Sequence, residues 1–217
     1  MKTLPFSSRQ EAGARLAAQL KHYRNHAVAL AMPRGGIPVA AEVARLLYIP
    51  LGVLAVHKLS LPDYPDVAFG ALAAGGGAAV DWHKVSEAEQ HKLKSAVAAG
   101  QRELERRTDL YYPFTRLIVS CRDVLLIDDG IASGATMRAA VRSVRALHPA
   151  RIVVAAPVAH EPALSILREE ADECVCLASS PRLAQVSAWY REFPAISDAE
   201  ALRQLESFAR QQKLTGV

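Results

Sequence analysis

Short apolar runs alternate along the chain with stretches whose apolar residues recur at helical spacing. The pattern predicts strands and helices in turn. Ser8 to His22 reads as a helix capped by Ser7 or Ser8, with Ala14, Leu16, Ala17 and Leu20 near one face. His26 to Met32 is a strand, followed by a helix from Ile37 to Leu47 with Pro38 in its first turn. Leu51 to Val56 is a second strand, ending at His57-Lys58. Leu59 to Trp82 is rich in Pro, Gly and Asp and keeps no period, although Ala68 to Ala73 could form a short strand. A loop of that length is expected to be functional or mobile. A long helix follows from Ser86 to Leu110, with Ser86 and Glu89 spaced as a capping box. Then come a strand at Val124 to Ile127, a helix at Met137 to Leu147, a strand at Arg151 to Val158, a helix at Glu161 to Glu170 and a strand at Glu173 to Leu177. Ser179 to Ser197 is irregular and carries Trp189, Tyr190 and Phe193, and Asp198 to Gln211 closes the chain as a helix capped by Ser197 or Asp198.

This alternation implies right-handed crossovers and an α/β fold, a single domain with a mostly parallel sheet flanked by helices. The 217 residues suit one domain, and no internal repeat or linker divides them. Ligands of such sheets bind at the carboxyl ends of the strands. The loops at Arg34, Lys58 and Asp129 all follow predicted strands and are expected to converge on one edge.

The most informative stretch is Val124 to Thr136, VLLIDDGIASGAT. Its four unbroken apolar residues suit a central strand covered on both faces. Two acids, Asp128 and Asp129, follow, then small residues that allow a ligand close to the backbone, then a helix. A helix N-terminus offers unpaired amides and partial positive charge to an anion such as phosphate, and Ser133 and Thr136 add hydroxyls there. Acids just upstream of a phosphate cradle need something neutral or cationic between. A sugar donating hydroxyls to the acids would serve, as would Mg²⁺, which takes hard oxygen ligands and few protein carboxylates. No Gly-Lys-Ser/Thr follows, which excludes a Walker loop, and Gly75-Gly76-Gly77 lacks the spacing and context of a Rossmann fingerprint.

A net charge of +4 fits a phosphorylated small ligand, and the clustering that nucleic acid would need is missing. Arg102, Arg106 and Arg107 are interleaved with Glu103 and Glu105 and read as a solvated helix face. Cys174 and Cys176, two apart on a strand, suit neither an easy disulfide nor zinc, and are expected to be buried small hydrophobes in a reducing compartment. MKTLPFSSRQ lacks the apolar core of a signal peptide and no run reaches membrane-spanning length, so a cytoplasmic protein with no membrane partner is expected.

The stretch Val124 to Thr136 resembles the phosphoribosyl-diphosphate (PRPP) motif of type I phosphoribosyltransferases. The resemblance runs from about Arg9 to the C-terminal helix. It is strongest toward a poorly characterised bacterial subgroup sharing the Pro33-Arg34-Gly35-Gly36 turn, the acids with the phosphate loop, and the Trp189-Tyr190…Phe193…Asp198 segment. It implies that Asp128 and Asp129 hold the ribose hydroxyls, and Mg²⁺ indirectly with PRPP. The loop of Ile131, Ala132, Ser133, Gly134, Ala135 and Thr136 would wrap the 5′-phosphate. Arg34, Gly35 and Gly36 would form the diphosphate loop, where arginine offers a planar fork of donors and glycine permits close approach. Lys58 would reach the diphosphate, and the flexible loop 59–82, with Pro62, Asp63, Pro65, Phe69 and Gly70, would close over the site. His57 reads as a packing residue. A hood at 179–197 would hold the acceptor, with Trp189 or Tyr190 stacking on a flat ring or else packing the last helix.

The implied activity is Mg²⁺-dependent transfer of ribose 5-phosphate from PRPP to a nitrogenous base, with Arg34, Lys58, Asp128 and Asp129 as catalytic residues. The alternatives are a PRPP-sensing regulatory protein and, further off, a phosphoribosyl hydrolase. Enzymes for 6-oxopurines carry an aspartate at the position of Ala132, so hypoxanthine and guanine are not expected acceptors. A homodimer is left open.

Overall fold

A computed structural model of the chain describes residues 6–61, 63–81, 90–183 and 185–215. The Ser86–Glu89 capping box, Pro62 and Trp82 lie outside these residues.

The chain begins with α1 (Arg9–Gln19), capped by the Ser8 side chain, which accepts from the Glu11 amide. It continues through β1 (Ala27–Ala31), α2 (Gly36–Leu47) and β2 (Leu51–Val53). Three strands follow, β3 (Val56–Leu61), β4 (Tyr64–Ala73) and β5 (Ala78–Val80), then the long α3 (Gln90–Tyr111). The second half is β6 (Asp123–Ile127), α4 (Ala135–Arg145), β7 (Arg151–His160), α5 (Glu161–Glu170), β8 (Glu173–Ser180) and α6 (Asp198–Thr215).

Five strands form a parallel sheet in the order β2-β1-β6-β7-β8. From β1 the chain winds outward to β2, and from β6 it winds the other way to β7 and β8. The reversal falls between β1 and β6, which is where an open α/β sheet leaves a crevice at its carboxyl edge. Both faces of the sheet are covered. Ala27, Ala29, Ala31, Leu125 and Ile127 pack with α1, α2 and α6, while Val28, Leu30, Val124 and Leu126 pack with α4 and α5. Two-sided burial explains the unbroken apolar runs. Among the described residues, no helix is long and apolar enough to cross a membrane.

The segment from Leu59 to Trp82 departs from the expected irregular loop. Its described part belongs to a second, antiparallel sheet in the order β3-β4-β5. Two features hide these strands from a sequence reading. The pairing of β3 with β4 shifts register at Leu59 and Ser60, which breaks the two-residue period. The strands are also rich in Ala and Gly, whose burial leaves little hydrophobic contrast, and an added Cβ at Gly70 would sit 2.6 Å from the Ala79 carbonyl oxygen. The ribbon is wedged between two helices. Leu59 and Phe69 pack on Leu93 of α3, while Ala71, Ala73 and Ala79 join the α4 cluster. The turn at Gly75–Gly77 docks on α4, where Ser143 Oγ donates to the Ala74 carbonyl and Arg142 Nη1 to that of Ala78.

Lys58 accordingly sits inside β3 rather than at the end of the second core strand. Side chains alternate across β3, so His57 and Leu59 face Gly100 of α3 while Val56 and Lys58 share the other face. Cys174 and Cys176 are half-buried and pack against the core, and burial raises both thiols, Cys176 to about 11.

Candidate active site

The carboxyl ends of β1 and β6 lie side by side, Ala31 opposite Ile127. The chain leaves β1 through Met32, Pro33, Arg34 and Gly35, and the Pro33–Arg34 peptide is cis. The turn closes on itself and on β6, with the Gly36 amide donating to the Met32 carbonyl and the Met32 amide to that of Ile127, each at 3.0 Å. Both glycines are required by contact. A Cβ on Gly35 would collide with Asp129 Oδ2, and one on Gly36 would stand 2.7 Å from the Ile127 carbonyl oxygen. The arginine turn thus rests directly on the two acids.

Asp128 Oδ1 accepts the Asp129 amide at 2.8 Å. Asp129 Oδ2 receives Arg9 Nε at 2.8 Å, with both side chains largely buried. Burial pushes the Asp128 carboxyl well above its ordinary value, and the neighbouring Asp129 charge adds to the shift. Burial raises Asp129 as well, while Arg9 pulls it back down. Two adjacent, poorly solvated acids suit a ligand that brings hydroxyl donors or positive charge.

The loop that leads from the acids into α4 starts with Ile131, buried and bridged to β7, its amide donating to Val158 and its carbonyl accepting from His160. Ala132 and Ser133 are exposed, and Gly134 takes a φ of 77° to begin α4. That left-handed geometry is what glycine permits. The N-cap residue Gly134 has no side chain to cap α4, and the first helical amide, that of Ala135, meets only Ser133 Oγ at a long 3.5 Å, which leaves the helix N-terminus open to an anion.

A cavity of about 410 Å³ opens between these pieces. Arg34, Gly35, Lys58, Asp128, Asp129 and Thr136, all expected from sequence, border it together. Gly36 is buried beneath the turn, and Ile131 lies behind the loop. Arg34 is exposed, with Nη1 3.3 Å from Asp198 Oδ1, and Arg106 Nη2 reaches the other Asp198 oxygen at 3.0 Å. Lys58 is exposed and makes no ion pair among the described residues.

The hood differs from expectation. Tyr190 is buried, its ring against Phe6 and Phe193 at centroid distances of 5.4 and 4.9 Å. Its hydroxyl donates to the Asp129 carbonyl at 2.6 Å, and burial raises the phenol. Trp189 packs in the same cluster and does not border the cavity. Neither ring offers the cavity an open face, because each is used to seat the late segment on Phe6 and α1. The hood side is bordered instead by Phe193, Ala195 and Ile196, with Arg9 stacked on Phe193, its guanidinium carbon 3.6 Å from the ring centre.

Two bordering cations escaped the sequence reading. Arg9 lies in the first helix, 120 residues from its acid. Arg107 belongs to a run of interleaved Arg and Glu expected to form a solvated face, yet it borders the cavity. The alternation of Arg and Glu on α3 looks the same from sequence whether the helix faces water or a site. Only the packing of α3 on β3 separates the two cases.

A family description, "Phosphoribosyl transferase domain", matches residues 8–180. The "Putative phosphoribosyl transferase Rv0571c" of Mycobacterium tuberculosis (strain ATCC 25618 / H37Rv) is 37% identical over 207 residues, covering 93% of this chain and 46% of that protein. Its counterpart MT0597 in strain CDC 1551 / Oshkosh gives the same figures. The chain therefore spans about half the length of these curated relatives. The crystal structure of TT1426 from Thermus thermophilus superposes with a TM-score of 0.77 at 35% identity, covering 94% of this chain and 99% of that one. With the acids, the arginine turn and the loop into α4 assembled at one switch point, these likenesses agree, and the chain belongs to the phosphoribosyl transferase domain family.

Proposed function

We propose that the protein is a Mg²⁺-dependent phosphoribosyltransferase that moves ribose 5-phosphate from PRPP to a nitrogenous acceptor and releases diphosphate. The observation that carries this reading is the shared cavity bordered by Arg34, Lys58, Asp128, Asp129 and Thr136. One end of it offers a helix N-terminus to a phosphate, the middle offers two acids to a ribose, and the far side offers cations to a diphosphate.

In the reaction the bond from the anomeric carbon to the diphosphate oxygen breaks, and its electron pair leaves with the diphosphate. The lone pair of an acceptor nitrogen forms the new bond, and the proton displaced from the acceptor leaves to water. Arg34 and Lys58 stabilise the charge gathering on the leaving group. Asp128 and Asp129 hold the ribose hydroxyls and face the positive charge that develops on the ring. Fixed electrostatics of this kind is usually the largest catalytic contribution. The Ala135 and Thr136 amides anchor the 5′-phosphate and fix the sugar against the acids. Among the described residues no cluster of three acids, histidines or cysteines could hold a metal alone. The donor set fits an ion held mainly by substrate oxygens and water beside Asp128 and Asp129, as Mg²⁺ prefers. When bound there, it would neutralise diphosphate charge. Closure of the β3–β4 ribbon over the diphosphate would exclude water.

The acceptor enters on the side of Phe193, Ala195 and Ile196. Ala132 can neither accept nor donate a side-chain hydrogen bond, so we exclude hypoxanthine and guanine. Diphosphate release on mixing with PRPP, Mg²⁺ and a panel of bases tests the proposal. Release with at least one base other than these two is expected. Saturable PRPP binding with no release on any base would instead make the chain a PRPP-binding regulatory protein.

A further inference from the structure

We propose that Arg107 of α3 is a third cation for the diphosphate, beside Arg34 and Lys58; this rests on the phosphoribosyltransferase reading above. Arg107 borders the same cavity as those two residues. Two contacts fix its direction, Nε to Glu103 Oε1 at 2.8 Å and Nη1 to the Val56 carbonyl at 3.1 Å. The side chain is 23% exposed, intermediate between the buried Arg9 and the open Arg34. Its Nη2 donors have no protein partner among the described residues.

The surroundings favour an anion. Val56 lies two residues before Lys58 on the same face of β3, so the contact that orients Arg107 also ties it to the strand carrying Lys58. Two other cations lie close by, Arg34 and Arg106, which meet on one carboxylate, that of Asp198, at 3.3 and 3.0 Å. Of these, Arg106 is spent on Glu103 and Asp198, and Arg34 shares Asp198. Among the described residues, Arg107 has only Glu103 as an acidic partner. A planar donor fork held rigidly by a helix, with one edge open to a cavity, is suited to phosphate oxygens.

The test is titration calorimetry with inorganic diphosphate and, separately, with PRPP, each with Mg²⁺. It compares the unaltered protein with Arg107→Gln, Arg107→Lys and, as a control on the same helix, Arg102→Gln. Loss of one charged hydrogen-bonding partner predicts diphosphate binding weakened by about tenfold or more in Arg107→Gln. Arg107→Lys should recover part of the loss, because it keeps the charge and gives up the fork, and Arg102→Gln should bind as the unaltered protein does. A strut between α3 and β3 would show differently, with both Arg107 variants losing melting temperature while the folded protein bound diphosphate normally. That result overturns the proposal and leaves the functional reading standing. If the unaltered protein bound neither ligand, the functional reading would fail and this proposal with it. If Arg107→Gln does not fold, Arg107→Lys decides, since undiminished affinity in it together with a lowered melting temperature speaks for the strut.

Discussion

Asp129 meets four neighbours at once: Arg9 at its carboxylate, Tyr190 at its carbonyl, Asp128 at its amide and Gly35 above it. Asp129→Ala removes a charged hydrogen-bond partner, and such bonds contribute about 1.5–3 kcal/mol each. PRPP affinity measured by calorimetry on the folded variant is expected to fall at least about tenfold; equal affinity would remove the acid from the ribose site. Gly35→Ala asks a different question. Its Cβ would run into the Asp129 carboxylate, so the turn and the acid cannot both keep their places. Gly35→Ala should therefore lose PRPP binding as fully as Asp129→Ala, although no polar group has been removed. Wild-type affinity in Gly35→Ala would show that the turn moves freely away from the acids.

Among the elements, the β3–β5 ribbon and α3 carry the clearest consequences. The Gly75–Gly77 turn is pinned to α4, since a Cβ on Gly77 would collide with the Ala139 carbonyl oxygen. Hydrogen exchange should be slow at the pairing of Gly77 with Ala73 whether or not ligand is present. Around Lys58, exchange should slow when PRPP and Mg²⁺ are added. Uniform protection in both states would make the ribbon a fixed insertion rather than a closing element. On α3, hydrogen bonds from Arg106 and Arg107 hold the Glu103 carboxyl down to about 2 from an ordinary 4.5. A carboxyl lowered in the folded state stabilises the fold above its unfolded value, and that contribution is lost as pH falls. The window here runs from about 4.5 down to about 2. The difference in melting temperature between the protein and Glu103→Gln should be full above about pH 5 and shrink as pH falls through this window. A difference independent of pH would mean that Glu103 acts by packing alone.

Across the whole molecule, Arg9 joins parts that are remote in sequence. It starts α1, pairs with Asp129 at the end of β6, and donates through Nη1 to the Pro194 carbonyl at 2.8 Å. Removing one partner of a buried pair strands the other, at a cost of about 3 kcal/mol or more. Arg9→Met should lower the unfolding free energy by about that amount in urea titration. A change below about 1 kcal/mol would show that Asp129 is well solvated without its partner, as surface pairs are.

The order of the strands and helices of the parallel sheet, the buried character of β1, β6 and β7, and the place of Asp128 and Asp129 at the end of β6 were determined by sequence alone. Each is a local signal, an apolar run, a helical period or adjacent residues with one chemical task, and so survives in a linear reading. Helix ends moved by a few residues, as expected where fraying and caps compete. The second sheet depended on tertiary structure, because Ala and Gly strands acquire their burial only from α3 and α4. The same holds for the side chains that complete the site. Arg9 finds its acid 120 residues away, Tyr190 finds the Asp129 carbonyl 61 residues away, and Arg107 finds Val56 51 residues away. Arginine and tyrosine carry the same chemistry on an open face as in a cleft, and which of these they occupy is fixed only when helices pack on strands.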